Sequence, residues 1–445
     1  MTLSSKSSEI LRQLPDGLIL RRSTHADSEK LAAFNASIHS DDEKPDLRVK
    51  AWVSDLLSGN HPTFGVNDFT IVEEQQTGKI VSSMNLISQI WSYAGIPVKV
   101  GRPELVGTDP AYRNRGLVKA QFDVIHEWSR QRDELLQGIT GIPYYYRQFG
   151  YEMAVNLGGG RTGATFNVPR LKEGQAEVFQ FRPAAASDVP LVCDLYQKGC
   201  RRSLLTAVWD ETMWNYELTG KSENNVDRRE IRVIETLTGE PLGYLSHPFY
   251  LWGETIALTG LEIAPGVSWS DIVPAAIRYL WQTGEALAAQ KSKTLTGFEF
   301  HLAENHPAYK IAEGRLPQNR RRYAWYLRVP DLAGFLRHIT PVLERRLAES
   351  YFSPYSGEVK LSFYRTGLNL KFQKDRLVEI EAWQPDTKEY GKASFPGFTF
   401  YQLLFGYRDM DELMHAFPDC FTEDELKPVL PVLFPKQPSE IIPIN

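Results

Sequence analysis

Residues 105–117, Leu-Val-Gly-Thr-Asp-Pro-Ala-Tyr-Arg-Asn-Arg-Gly-Leu, hold the densest set of chemically suggestive groups in this 445-residue sequence. A short apolar strand runs into a proline turn, then into a basic loop bearing Gly116, and the loop opens a helix. A backbone on that course leaves a nest of free N–H groups, and the helix dipole adds to their pull on an anion. Arg113 and Arg115 bring positive charge to the same helix start. The pattern reads as a cradle for a pyrophosphate, in the strand-to-helix context such a cradle requires. Glu104 stands just before this strand, and the run 143–151 gathers Tyr144, Tyr145, Tyr146 and Tyr151. Elsewhere the reactive residue types are isolated. His61, His126 and His306 have no companions at catalytic spacing, and Asp409, Asp411 and Glu412 read as a solvated helix start. Cys193, Cys200 and Cys420 lack metal-binding spacing, so no metal is expected.

The elements that must position these groups alternate in type. A strand at 18–21 precedes a helix over 28–38, with Asp27 as its capping candidate. Runs 68–73 and 79–87 form a hairpin around the turn 76–79, and residues 98–100 lead to the strand before the loop. The helix over 116–134 shows Leu117, Phe122, Ile125 and Trp128 on one stripe, and a strand over 135–140 follows. The same order returns more faintly. Residues 179–188 echo the start, 230–235 and 241–246 form a second hairpin, and 260–265 mirror 104–110 before a helix from Asp271. Residues 306–310 are the counterpart of the tyrosine run. Residues 266–270, however, replace the arginine–glycine loop, so the second copy is expected to be silent. Beyond residue 330 a helix carrying Leu332, Phe335, Leu336, Ile339 and Leu343 precedes strands at 358–364 and 369–372 and a buried helix over 399–407. The tail, 428–445, is too apolar and proline-rich to lie in solvent, and is expected to pack.

Bulk properties narrow the class. Charged residues at 24% and hydrophobic ones at 42% suit a soluble globular chain of two or three domains. A net charge of −5, with both signs interspersed, offers no basic stripe for nucleic acid. No run of about 20 apolar residues predicts a membrane span, and residues 1–14 lack a signal-peptide core. The sparse, odd cysteines fit a reducing, cytoplasmic setting.

Residues 105–117 resemble the acyl-CoA-binding motif of the GCN5-related N-acetyltransferases, which implies a CoA-dependent acyltransferase. On that resemblance Val106 and Thr108 lend backbone groups to the pantetheine arm. The amides of Arg113, Asn114, Arg115, Gly116, Leu117 and Val118 cup the diphosphate. Val118 departs from the Gly or Ala common at its position. Acyl transfer from a thioester to an amine needs a base, a polarised carbonyl and a proton for the thiolate. Tyr146 is chosen for the last role, a phenol of pKa ~10 being matched to a thiolate slightly below it. Tyr144, Tyr145 and Tyr151 read as packing residues. Glu104 is a base, direct or through water, or else an edge-strand salt bridge.

Over nearly its whole length the chain resembles the enhanced intracellular survival (Eis) type acetyltransferases. The carrying pieces are residues 109–117, the Tyr-Arg-Gln-Phe-Gly-Tyr run at 146–151 and the helix end at 404–407. The implied fold is α+β: a catalytic acetyltransferase domain over 1–172 and a degenerate second over 173–329, each a mixed sheet with flanking helices. A small sterol-carrier-protein-like α+β domain over 330–445 completes the chain. The resemblance puts the general acid on Tyr146, makes the terminal carboxylate of Asn445 a candidate base, and implies hexamers. It also implies acetyl-CoA as donor and an amine acceptor that is aminoglycoside- or polyamine-like or a lysine. Asp41, Asp42 and Glu43 are candidate acidic wall residues. Two other readings stand beside this one. The first is a lipid or small-molecule binder using the C-terminal domain; the second is transfer of a longer acyl group or an amino acid.

Overall fold

A computed structural model describes residues 9–41, 43–157, 160–320, 323–386 and 389–445. The fold is α+β, with several mixed sheets flanked by helices and a C-terminal α+β unit. The first sheet runs Ile10–Gln13, Leu18–Arg22, Phe69–Glu74, Lys79–Tyr93 and Ile96–Thr108, all antiparallel, and continues through Leu136–Ile139. Strand Lys79–Tyr93 is buried along most of its length because helices cover both faces. Ile71, Ile80 and Ile87 pack under helices Ser28–Ile38 and Leu47–Leu57. Met84 and Leu86 meet Phe122 and Ile125 of helix Leu117–Gln131.

Helix Ser28–Ile38 has the expected span with Asp27 at its N-cap position, but the Asp27 side chain makes no capping bond. Its carboxylate takes the Thr24 amide at 2.8 Å and the Arg21 guanidinium at 2.7 and 2.9 Å in a buried pair. Helix Leu47–Leu57 is absent from the sequence reading, although Asp46 caps it at the Arg48 amide and Val49, Trp52, Val53, Leu56 and Leu57 form its buried stripe. Residues 98–100 and the strand before the loop prove to be one strand, Ile96–Thr108. The helix expected around Leu332–Leu343 is two, Leu332–His338 and Thr340–Ala348, since Pro341 starts a new first turn.

A second sheet joins Gly260–Ile263, Pro241–Pro248, Arg229–Thr236 and Phe179–Pro183. A third joins Thr255–Leu258, Gly297–Phe300, Gly160–Ala164 and Gln318–Arg320. The repeats exchange strands. Tyr323–Arg328, at the end of the second repeat, lies in the first sheet between Leu136–Ile139 and Glu152–Leu157. Gly160–Ala164, near the end of the first, pairs with Gly297–Phe300 of the second. The C-terminal sheet contains Arg376–Trp383, Gly367–Gln373, Gly357–Ser362, Ala393–Ser394 and Phe421–Thr422, and helix Phe400–Leu404 is buried throughout. The tail packs as expected, with Ile441, Ile444 and Asn445 buried.

Candidate active site

Two irregularities open a cleft in the first sheet. Asn85 pairs with Glu104 and Ser83 with Gly107, so Leu105 and Val106 together oppose Met84 in a β-bulge. Leu105 sits there at φ +52°, a left-handed conformation that costs a branched L-residue free energy and suggests a functional constraint. Next to the bulge, the parallel pairing of Ile96–Thr108 with Leu136–Ile139 lasts only two residue pairs, Val100 with Leu136 and Gly101 with Gln137. Beyond them the strands part, and a cavity of about 780 Å³ extends from the gap.

Most of the expected donor-site residues line this cavity: Val106, Thr108, Arg113, Asn114, Gly116, Leu117 and Val118. The loop is built for anions. Asp109 accepts the Ala111 amide at 3.0 Å and the Lys79 ammonium at 2.7 Å, pinning the turn. Asn114 and Gly116 stand at φ +63° and +73°, so successive amides turn toward one side. No atom lies within 4 Å of a Cβ built on Gly116, so the glycine is needed for its torsion and not for space. The first-turn amides of helix Leu117–Gln131 have no partner within the helix. Val118 is tolerated because it packs with the apolar cluster around Phe122. Arg115 does not line the cavity. Its guanidinium leans over Tyr112 and toward Asp16 at 3.5 Å, so only its main chain belongs to the loop.

Tyr146 lies on the opposite wall in the short helix Tyr145–Phe149, 3% exposed. Its ring lies edge-on to Phe122, Tyr145, Tyr151 and Tyr326. A Cβ on Gly141 would come within 3.1 Å of its hydroxyl, so glycine admits the phenol to this place. Burial and then the nearby Glu104 push its pKa up, which keeps it protonated and able to donate. The tyrosine loop is held by two residues that sequence reasoning missed. Tyr326 accepts the Tyr144 amide at 2.8 Å, and Tyr323 donates to the Gly141 carbonyl. Both belong to the exchanged strand, and only the fold brings them here.

Glu104 also lines the cleft, with 18% of its side chain accessible. Burial raises its pKa, the adjacent Arg102 opposes the rise, and Asp227 of the second repeat adds to it. Arg102 is ion-paired with Glu104 and donates to the Asn445 side-chain oxygen. Asn445 itself is buried and does not line the cavity; one guanidinium separates it from Glu104. The tail reaches that point along Leu205–Ala207, through Leu204 N–H to Pro438 O at 2.8 Å and Glu440 N–H to Leu205 O at 2.9 Å. It is then fastened by Trp209 to Ile442 O and Gln89 to Ile444 O, at 2.8 and 2.7 Å.

Other candidates fall elsewhere. Asp41 and Glu43 are exposed and outside the cavity wall, and Asp42 lies outside the described residues. His39 and Ile38, at the end of helix Ser28–Ile38, line the cleft instead. His126 bonds Tyr151 at 3.1 Å, and burial lowers its pKa to about 3. In the second repeat His306 donates its Nε2 proton to the Leu261 carbonyl at 2.8 Å and meets Trp269 edge-on. Asp409 and Glu412 form the capping box of helix Met410–Ala416. Among the described residues no group of His, Cys, Asp and Glu could hold a metal ion, and no helix is long and apolar enough to cross a membrane.

Comparison with known proteins adds a family for part of the chain. Residues 20–154 match the family model of an acetyltransferase (GNAT) domain. No curated protein sequence matches. A probable N-acyltransferase of unknown function from Enterococcus faecalis V583 superposes with a TM-score of 0.62 at 12% identity, over 96% of this chain and 100% of its own. A GCN5-related N-acetyltransferase from Kribbella flavida gives 0.62 at 17% identity, over 95% and 97%. Eis1 from Mycobacterium abscessus gives 0.55 at 11% identity, over 96% and 99%. At such identities the likeness is one of fold. Residues 20–154, where bulge, parted strands and anion loop come together, are the part of the chain similar to an acetyltransferase (GNAT) domain.

Proposed function

We propose that the protein transfers an acetyl group from acetyl-CoA to a primary amine of a cationic small molecule, aminoglycoside- or polyamine-like, or of a lysine. Transfer is direct. The amine nitrogen attacks the thioester carbonyl, its proton passes to Glu104 directly or through a water, and the C–S bond breaks as Tyr146 gives its proton to the departing sulfur. The carboxylate of Asn445, behind Arg102, is the other candidate for the base. Val106 and Thr108 would meet the pantetheine amides, and the 113–118 loop the diphosphate. One observation carries the reading: a proton donor and a carboxylate face the same cleft that the anion loop enters. Release of CoA thiol, followed with polyamines and aminoglycosides as acceptors, tests it. Tyr146→Phe should slow turnover by about 10²-fold or more while donor binding persists. Absence of thiol release across a broad amine panel would remove the proposal. The hexamer and the sterol-carrier-like character of the C-terminal unit belong to the same proposal; sizing with light scattering checks the assembly.

A further inference from the structure

A second cavity, of about 560 Å³, lies where the two repeats, the C-terminal unit and the tail meet. Its wall shares no residue with the acetyltransferase cleft. The inner wall sets two buried aromatic side chains, Trp209 and Tyr196, beside the buried hydroxyl residues Ser203 and Thr206. Cys200 is part of that wall, and burial pushes its thiol up to about 12, so it is a neutral surface and not a nucleophile. The rim has the opposite character. Arg201 follows helix Val189–Cys200, and Arg345 and Arg346 belong to the last turns of helix Thr340–Ala348. Among the described residues none of the three guanidiniums has a carboxylate partner. Arg345 donates to the Ala94 carbonyl at 3.4 Å, and Arg346 donates to the Leu433 carbonyl at 2.7 Å and to the Tyr93 hydroxyl at 3.5 Å. Glu349 is the one carboxylate on the wall, so three positive charges face one negative.

A pocket of this size, with aromatic rings within and a basic mouth, suits a ligand with an apolar body and one anionic head. Arg matters here because its fork can pair with a carboxylate in a bidentate way. We propose that this cavity binds an amphiphilic carboxylate, its body against Trp209 and Tyr196 and its head between Arg201 and Arg345. The proposal does not rest on the acetyl-transfer reading.

Equilibrium dialysis of the CoA-saturated full chain with dodecanoate, below its micellar concentration, tests it. Dodecylamine and dodecanol serve as charge controls. Dodecanoate should bind more tightly than either control, and Arg201→Glu with Arg345→Glu should weaken it about tenfold or more. Val208→Trp, at an exposed position of the wall, should also weaken it by narrowing the mouth. Donor affinity at the first cleft should stay unchanged in both variants. Equal binding of the alcohol or the amine, unchanged affinity in the double arginine variant, or no retention of dodecanoate would each overturn the proposal.

Discussion

Within the loop, side chains and main chain carry different burdens. Arg113 lines the cleft, whereas the Arg115 guanidinium is turned toward Tyr112 and Asp16. Arg113→Ala should therefore weaken acetyl-CoA binding about tenfold, the worth of a charge-assisted contact, and Arg115→Ala should change it far less. Isothermal titration of both variants checks the contrast. Gly116→Val should be worse than either, because a β-branched residue at φ +73° forces the nest to reorganise. For Glu104 the pH dependence is the informative readout. A base must be deprotonated, and burial holds this carboxyl above its ordinary range, so kcat/KM should climb with pH through the raised pKa. Glu104→Gln should lower the rate and remove that limb of the profile.

The exchanged strand Tyr323–Arg328 is the element on which the site's geometry turns. It pairs with both Leu136–Ile139 and Glu152–Leu157, bracketing the tyrosine loop. Through Tyr326 and Tyr323 it ties that loop at the Tyr144 amide and the Gly141 carbonyl. Tyr326→Phe removes one neutral hydrogen bond, so stability should fall by about 1 kcal/mol. Turnover should fall by more than that loss explains, because Tyr146 would no longer be held against Gly141; chemical denaturation and thiol release, measured on the same preparation, separate the two effects. The reciprocal strand Gly160–Ala164 in the other repeat makes the exchange mutual. Neither repeat therefore completes its sheet without the other.

At the scale of the whole molecule, the tail links three parts of the chain to the cleft. Deleting residues 438–445 would free Leu204, Leu205, Gln89 and Trp209 of their partners and leave Arg102 without Asn445. Activity should drop with the melting temperature, and donor binding should survive because no tail residue lines the cleft. A second whole-molecule prediction concerns pH. His61 is 5% exposed, and burial, with Lys221 nearby, lowers its pKa to about 3. Below about 6.5 the unfolded chain takes up a proton there that the folded one refuses, so stability falls as pH falls. Between pH 6.5 and 5 that is up to about 2 kcal/mol for this one imidazole. The melting temperature should decline over this interval, and His61→Gln should flatten the decline.

Local pattern determined much of this protein. The strand, proline turn, basic loop and helix at 105–131 are legible because proline, glycine, the two arginines and an apolar stripe all act within a few residues. Glu104 could be named from its place before that strand and Tyr146 from thioester chemistry and the resemblance carried by residues 146–151, and the second repeat betrayed itself by repeating an order of elements. Helix Leu47–Leu57 is legible too, in its stripe from Val49 to Leu57. What the tertiary structure alone decided lies between distant segments. No local signal says that strand Tyr323–Arg328 enters the first sheet, that Asn445 ends against Arg102, or that Arg115 faces away from the cleft. Those outcomes depend on which surfaces remain unpaired once every element has formed, and burial across hundreds of residues, not neighbouring residue types, selects among them.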